Sequence, residues 1–312
     1  MASLAELREQ AERFSRMDAR DSSQGRAIYN QVVSGVHEMM ASIDRLVAEG
    51  VPRPEIADAA APARQAMAAS PFAARLQTWP RGYPGDFETI EYLVDAINRA
   101  EPDTLGYYCE RFFLSTPPAV QHREKLRVQA DCYRSCVSVH PDARILVLAV
   151  GGGRCILPAL DDLLRSRATL VVVDMDADAL ALCGERLAPF GDRCEQIRGN
   201  PVRLLSRYRS RGPFDLVVAG GLFDYVPQGV LQWVVPTIVN DLLRPGGRFF
   251  FTNIADGNPY RSWMEYFASW DIIERSASDI EQLVEPVRDA CRLQIRRDTS
   301  GLTWLVDVER RG

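Results

Sequence analysis

Lysine is almost absent from this sequence: Lys125 is the one lysine among 37 lysine and arginine residues. No Gly-Lys-Ser/Thr sequence exists, which excludes a phosphate-binding P-loop. A single lysine also leaves little room for Schiff-base catalysis. Acidic residues outnumber basic ones and give a formal net charge of −5. Because nucleic acids are bound mainly through clustered cations, no nucleic-acid partner is expected.

Long apolar runs are also missing. The least charged long stretch, residues 216–240, is interrupted by Asp224 and by glycines and prolines, so it does not predict a membrane-spanning helix. The N-terminus, MASLAELREQAERF, is charged throughout and has no apolar segment of the kind found in signal peptides. We therefore expect a cytoplasmic protein without a membrane partner.

The seven cysteines are scattered and odd in number, which does not indicate a disulfide framework. Cys132 and Cys136 are four residues apart and fall on one face of a predicted helix. With three histidines in the whole chain, no four-ligand zinc pattern can be assembled. We interpret the pair as ordinary buried thiols and predict no metal site.

The chain is long enough for two domains, and its first 140 residues have helical patterns. Ser3 and Glu6 have capping-box spacing, and apolar residues from Ile28 to Val47 recur every three or four positions. The prolines and glycines of residues 79–87, WPRGYPGDF, predict a shaped loop, with Asp86 as the cap of the next helix. Residues 1–140 are therefore predicted to form an all-α cap domain.

At Arg144 the pattern changes to short, nearly continuous apolar runs. These are ILVLAV (145–150), LVVV (170–173), DLVVAG (215–220) and RFFFTNI (248–254). Such runs are typical of parallel strands buried on both faces. Residues 293–297 and 303–310 predict a terminal hairpin. Residues 141–312 are thus predicted to form a doubly wound, Rossmann-like α/β domain.

The strongest chemical signal is a glycine turn after the first strand, Gly151-Gly152-Gly153. Asp174 ends the second strand 21 residues after Gly153. Glycines let a ligand approach the backbone, and a carboxylate at this place can accept both hydroxyls of a ribose. The alternatives are a turn needed only for packing and an aspartate that only caps a helix. An NAD site would require glycine where Ile156 stands.

From Arg144 onward the chain resembles the class I S-adenosylmethionine (SAM) methyltransferases. The resemblance is carried by ILVLAVGGGR, VVVDMD, RGN (198–200), FDLVVAGGLFDYVP (214–227) and LLRPGGRFFFTN (242–253). It implies SAM as cofactor and a set of cofactor-binding residues: Gly151, Gly152, Gly153, Asp174, Met175, Asn200, Pro201, Ala219, Gly220 and Asp224. For Asn200 the alternative is a turn residue, and for Asp224 a loop or cap residue.

The chain departs from this family at two places. The family's usual acidic residue, which helps orient the methionine amino group, is Ala149 here, and the last glycine of the first motif is Cys155. The methionine end of SAM is therefore expected to be held differently. More loosely, residues 81–93, 117–123 and 258–283 resemble a bacterial branch named for 3-hydroxypalmitate methyl ester biosynthesis. That branch implies a helical lid over the cofactor edge.

Methyl transfer is an in-line displacement, so the protein mainly has to orient the reactants and exclude water. A carboxylate acceptor needs no base, whereas a hydroxyl or amine acceptor does. The candidate catalytic residues are Tyr83, His122 and Glu265, with structural packing as the alternative for each. Three hypotheses follow: a small-molecule methyltransferase acting on oxygen, nitrogen or a carboxylate in secondary metabolism, a SAM-consuming cyclase that releases methylthioadenosine, and a non-catalytic SAM-binding module. The acceptor and the oligomeric state cannot be derived.

Overall fold

The computed structural model describes residues 3–312 and contains two compact units. The first comprises the chain up to Val120 together with Pro259–Asp271, and the second comprises Gln121–Asn258 and Ile272–Gly312. The division predicted between residues 140 and 141 differs from these units in two places. The helix before the first strand, Pro117–Val139, belongs to the second unit from Gln121 onward. The later segment Pro259–Asp271 belongs to the first unit.

The first unit is helical. Its helices are α1 (Leu4–Ser15), α2 (Gly25–Ala48), α3 (Arg53–Met67), α4 (Pro71–Thr78), α5 (Phe87–Asp95) and α6 (Leu105–Phe113). The predicted cap of α1 is confirmed, since the Ser3 side chain accepts a hydrogen bond from the Glu6 backbone N–H at 3.1 Å. The apolar stripe of α2 packs inward as predicted, except that Val47 is exposed.

The segment Pro259–Asp271 is tied to α3 and α4 by polar contacts. Arg53 pairs with Asp271 at 2.7 Å, and Arg64 donates to the Ser269 hydroxyl at 2.7 Å. The Trp79 indole N–H donates to the Ser269 carbonyl at 3.0 Å. Such contacts between residues about two hundred positions apart cannot be inferred from local patterns, which is why the domain boundary was predicted elsewhere.

The second unit is built on one mixed sheet. Among the described residues its strands are β1 (Arg144–Leu148), β2 (Thr169–Asp174), β3 (Cys194–Arg198), β4 (Phe214–Ala219), β5 (Leu243–Ile254), β6 (Cys291–Arg297) and β7 (Thr303–Arg310). Their order is β3-β2-β1-β4-β5-β7-β6. Strands β1 to β5 are parallel, whereas β7 is antiparallel to both β5 and β6. The predicted doubly wound sheet and terminal hairpin are confirmed.

Helices cover both faces of this sheet: α7 (Pro117–Val139), α8 (Leu160–Arg165), α9 (Ala177–Leu187), α10 (Leu205–Tyr208), α11 (Gln228–Thr237) and α12 (Ala277–Val284). The side chains of β1 alternate between two cores. Ile145 and Val147 pack with α7, α8 and α9, and Leu146 and Leu148 pack with α10, α11 and α12. Strand β3 was not predicted, because an edge strand with exposed side chains has no apolar run.

Among residues 3–312, no helix combines the length and the apolar character needed to span a membrane.

Candidate functional site

The strand order reverses between β1 and β4, because β1 is followed in the chain by β2 on one side and β4 is followed by β5 on the other. In open α/β sheets, ligands bind outside the carboxyl ends of the strands at such a reversal. The glycine turn follows β1, and Gly220 follows β4 directly. The paired register of Val147 with Val218 brings these two loops to the same edge.

The glycine turn depends on backbone conformations that favour glycine. Gly151 and Gly153 have φ angles of 56° and 81°. A Cβ on Gly153 would also lie 3.1 Å from the Cys183 sulfur. Ala149 enters the turn with φ of 53°, a conformation that few non-glycine residues adopt. The turn therefore presents bare backbone, and Ala149 lies within it.

Asp174 joins the end of β2 to this turn. One carboxylate oxygen accepts the Gly151 backbone N–H at 2.8 Å, and the other accepts the Asp176 backbone N–H at 3.0 Å. Burial raises the pKa of the Asp174 carboxyl, while the N–H groups of Asp176 and Gly151 oppose this shift. A carboxylate has about four lone-pair positions, so Asp174 retains acceptor capacity beyond these two bonds.

Three of the predicted cofactor-binding residues lie after β2 and β3. Met175 is 55% exposed, and Pro201 is buried. The Asn200 side-chain oxygen accepts the N–H groups of Val202 and Arg203 at 3.0 and 3.1 Å. These bonds make Asn200 a turn-forming residue, which is the alternative considered for it from the sequence.

Gly220 is held close to helix α7. A Cβ at this position would lie 1.9 Å from the side-chain oxygen of Gln129, so the Gln129 carboxamide lies directly over the backbone after β4. Ala219, the last residue of β4, is fully buried. Gln129 therefore fills the space that a side chain at position 220 would occupy.

Asp224 is buried in the loop after β4. One carboxylate oxygen accepts the Ile254 backbone N–H at 2.7 Å, and the other lies 3.6 Å from the Lys125 ammonium of α7. Burial raises the pKa of the Asp224 carboxyl, and Lys125 is the largest influence against that shift. Asp224 is thus both an anchor of its loop and half of a buried ion pair.

The same loop is clamped by Arg275, whose side chain is 1% exposed. Its guanidinium donates to the carbonyls of Phe223 and Val226 at 2.8 and 2.6 Å and also to the Asn253 side-chain oxygen. A planar group with five donors suits several acceptors at once. Nothing in the sequence distinguishes this arginine from the other arginines.

His122 lies in α7, three residues before Lys125. Burial lowers the pKa of its imidazole well below the ordinary value, and the nearby charges of Lys125 and Arg123 lower it further. The ring is therefore neutral at pH 7 and can in principle accept a proton, although a low pKa makes it a weak base.

The other two candidate catalytic residues belong to the first unit. Tyr83 is half-buried in the loop between α4 and α5, where Gly82 and Gly85 have φ angles of 83° and 67°. Asp86 caps α5 as predicted, because its carboxylate accepts the N–H groups of Glu88 and Thr89 at 3.0 and 3.1 Å.

Glu265, the third candidate, pairs with Arg261 at 2.7 Å. Its aromatic neighbours are mostly buried, and Trp263 packs on Phe113 with ring centroids 5.0 Å apart. This segment therefore contributes to the core of the first unit, the structural alternative considered for its aromatic residues.

The paired cysteines are buried thiols, as interpreted from the sequence. Burial raises the pKa of both Cys132 and Cys136 to about 12, so both stay protonated near neutral pH. Across the described part of the chain, no group of three or more His, Cys, Asp or Glu side chains is arranged to hold a metal ion.

Sequence reasoning missed the buried polar residues of α7, which are Gln121, Lys125 and Gln129. The available signal was their spacing, since residues four apart on a helix share a face. A charged residue in such a row is usually exposed to solvent, so the burial of Lys125 became evident only in the folded structure.

No protein-family model matches this chain, and no curated protein matches it significantly. Solved structures do match. A possible exported protein from Bordetella parapertussis aligns with a TM-score of 0.55 and 15% identity, covering 99% of this chain and 96% of that one. A candidate methyltransferase from Thermobifida fusca aligns with a TM-score of 0.52 and 15% identity, covering 75% of this chain and 100% of that one. The chain therefore has the Rossmann-like fold of methyltransferases, and identities this low extend no further than the fold.

Proposed function

We propose that this protein is a SAM-dependent methyltransferase that acts on a small molecule. The observation that carries the proposal is the glycine turn at the strand-order reversal, tied to the buried Asp174 at the end of β2. A bare backbone turn beside a carboxylate with spare acceptor positions suits a nucleoside with a free ribose. The motifs quoted from the sequence indicate that this nucleoside is part of SAM.

The residues fit such a cofactor in three respects. Gly151 and Gly153 leave no side chain between the turn and a ligand. Asp174 can accept ribose hydroxyls, and Gly220 follows β4 at the same edge of the sheet as the glycine turn. We assign Met175, Asn200 and Pro201 to the adenine side by their position after β2 and β3, and Ala219 and Asp224 to the methionine side.

When bound, SAM supplies a methyl group on a positively charged sulfur. The residues described above would orient it and exclude water, so that an acceptor can attack in line with the sulfur–carbon bond. For a hydroxyl or amine acceptor we propose Tyr83, His122 or Glu265 as the group that takes up the proton. We further propose that the helical unit acts as a lid and supplies acceptor specificity.

The direct test is binding followed by product analysis. We expect calorimetry to show that the purified protein binds SAM and S-adenosylhomocysteine. Incubation with SAM and a panel of carboxylic acids, phenols and amines should then release S-adenosylhomocysteine. Release of methylthioadenosine would instead indicate a cyclase, and tight SAM binding without turnover on any acceptor would favour a binding module. Absence of SAM binding would contradict the proposal as a whole.

A further inference from the structure

The first half of α7 carries a row of buried polar side chains. Gln121, Lys125 and Gln129 are only 1%, 2% and 3% exposed. Their spacing of four residues places them on one face of the helix. Burial of amide and ammonium groups costs free energy unless their hydrogen-bonding capacity is used. A row of this kind therefore requires an explanation other than packing.

Two of these side chains lack a hydrogen-bond partner. Within residues 3–312, neither the Lys125 ammonium nor the Gln121 amide nitrogen has an acceptor in hydrogen-bond range. Asp224 approaches Lys125 only to 3.6 Å, and its other oxygen is occupied by the Ile254 N–H. An ammonium offers three N–H donors and an amide nitrogen two. The groups without a hydrogen-bond partner at this place are therefore N–H donors.

The Lys125 ammonium adjoins the loop after β4, and Gln121 precedes it by one helical turn. A Cβ on Gly221 would lie 3.9 Å from the Lys125 nitrogen, and Gln129 covers Gly220 one helical turn further on. This is the edge at which the strand order reverses between β1 and β4. The row on α7 therefore faces the place where open α/β sheets bind ligands.

We propose that Lys125 and Gln121 bind a carboxylate group beside the loop after β4, and that Asp224 positions Lys125 for this purpose. The inference rests on the proposed function and deepens it. Two donors on successive turns of a helix match the two oxygens of a carboxylate. Asp224 already balances the charge of Lys125, so a monoanion is favoured over a phosphate dianion, which Asp224 would repel more strongly.

Two different molecules can supply this carboxylate. It belongs either to the methionine part of SAM or to the methyl acceptor. Pairs of ligands, one with the carboxylate and one without it, distinguish the two. S-adenosylhomocysteine carries the carboxylate, and methylthioadenosine has no amino-acid part. Octanoate and its uncharged methyl ester form the corresponding pair for the acceptor.

The test compares the wild type with Lys125→Met, which keeps the length of the side chain and removes its charge. Arg127→Met is the matched control, because Arg127 is an exposed cation on the same helix. The double variant Lys125→Met/Asp224→Asn guards against misfolding from a carboxylate left buried without its counter-charge. Circular dichroism establishes that each variant is folded, and calorimetry measures each ligand.

If the carboxylate is that of SAM, Lys125→Met weakens S-adenosylhomocysteine binding by about 10- to 100-fold and leaves methylthioadenosine within about twofold of the wild type. If it is that of the acceptor, both nucleosides bind as in the wild type. The wild type saturated with S-adenosylhomocysteine then binds octanoate but not methyl octanoate, and Lys125→Met loses octanoate binding. Either result supports the inference.

The inference is overturned if Lys125→Met and the double variant bind both nucleosides as the wild type does and octanoate binding is absent or unchanged. It is also overturned if Arg127→Met has the same effect as Lys125→Met. Failure of the proposed function gives a different result, since the wild type itself would then bind neither nucleoside. In that case octanoate and methyl octanoate are compared on the protein without a nucleoside, and Lys125→Met tests the carboxylate site there.

Discussion

Replacement of Asp174 by alanine tests the cofactor site most directly. The carboxylate accepts two backbone N–H groups, from Gly151 at 2.8 Å and from Asp176 at 3.0 Å. Gly151 and Asp176, which supply these N–H groups, are half-exposed, so water can replace part of the hydrogen bonding that the substitution removes. We therefore expect a stability loss near the lower end of the usual range, about 1 to 2 kcal/mol in total.

The effect on cofactor binding should be larger than the effect on folding. Removal of the acceptor for the ribose hydroxyls leaves them without their buried partner, which costs about 1 to 3 kcal/mol. This corresponds to a loss of S-adenosylhomocysteine affinity of roughly 5- to 150-fold. Isothermal titration calorimetry measures the affinity, and urea unfolding measures the stability of the same preparation.

Asp176→Ala provides a matched control two residues away. Asp176 caps α9 by accepting the N–H groups of Asp178 and Ala179 at 2.9 and 3.3 Å. Its loss should cost about 1 kcal/mol of stability and leave cofactor affinity unchanged. If Asp174→Ala binds S-adenosylhomocysteine as tightly as the wild type, or if both variants lose affinity equally, the assignment of Asp174 to the ribose is refuted.

Four further predictions concern the same molecule. Because burial raises the pKa of Asp174, protonation should weaken S-adenosylhomocysteine binding as the pH falls, starting above the range of a free aspartate; a calorimetric pH series in which Asp174→Asn shows the same dependence would contradict this. Gly220→Ala should destabilise the fold by about 1 to 3 kcal/mol, because the new methyl group meets Gln129. In the double variant with Gln129→Ala, urea unfolding should show that most of the lost stability is regained. If the stability is not regained, the clash lies elsewhere. Arg275→Met should lower the free energy of unfolding by at least about 3 kcal/mol, since several buried acceptors lose their donor. A melting temperature close to that of the wild type would show that Arg275 does not hold the loop after β4. Tyr83→Phe should lower turnover with little change in melting temperature, and an unchanged rate would remove Tyr83 from the reaction.

The sequence by itself determined the α/β architecture of the second unit and placed the glycine turn and Asp174 at one edge of its sheet. Strands buried on both faces must be apolar almost throughout, so β1, β2, β4 and β5 are visible as short apolar runs. The glycines after β1 and the aspartate that ends β2 are local requirements of a turn and of a strand end. Edge strand β3 was missed because an exposed strand carries no such signal.

Only the tertiary structure decided which polar residues share this edge. Lys125 was notable in the sequence only for its rarity, and Arg275 was one arginine among many. Their burial depends on contacts with residues far away in the chain, such as the approach of Lys125 to Asp224 at 3.6 Å. The segment Pro259–Asp271 joins the helical unit for the same reason. Local patterns report hydrophobic periodicity and turn chemistry, whereas the pairing of buried charges is a property of the folded chain.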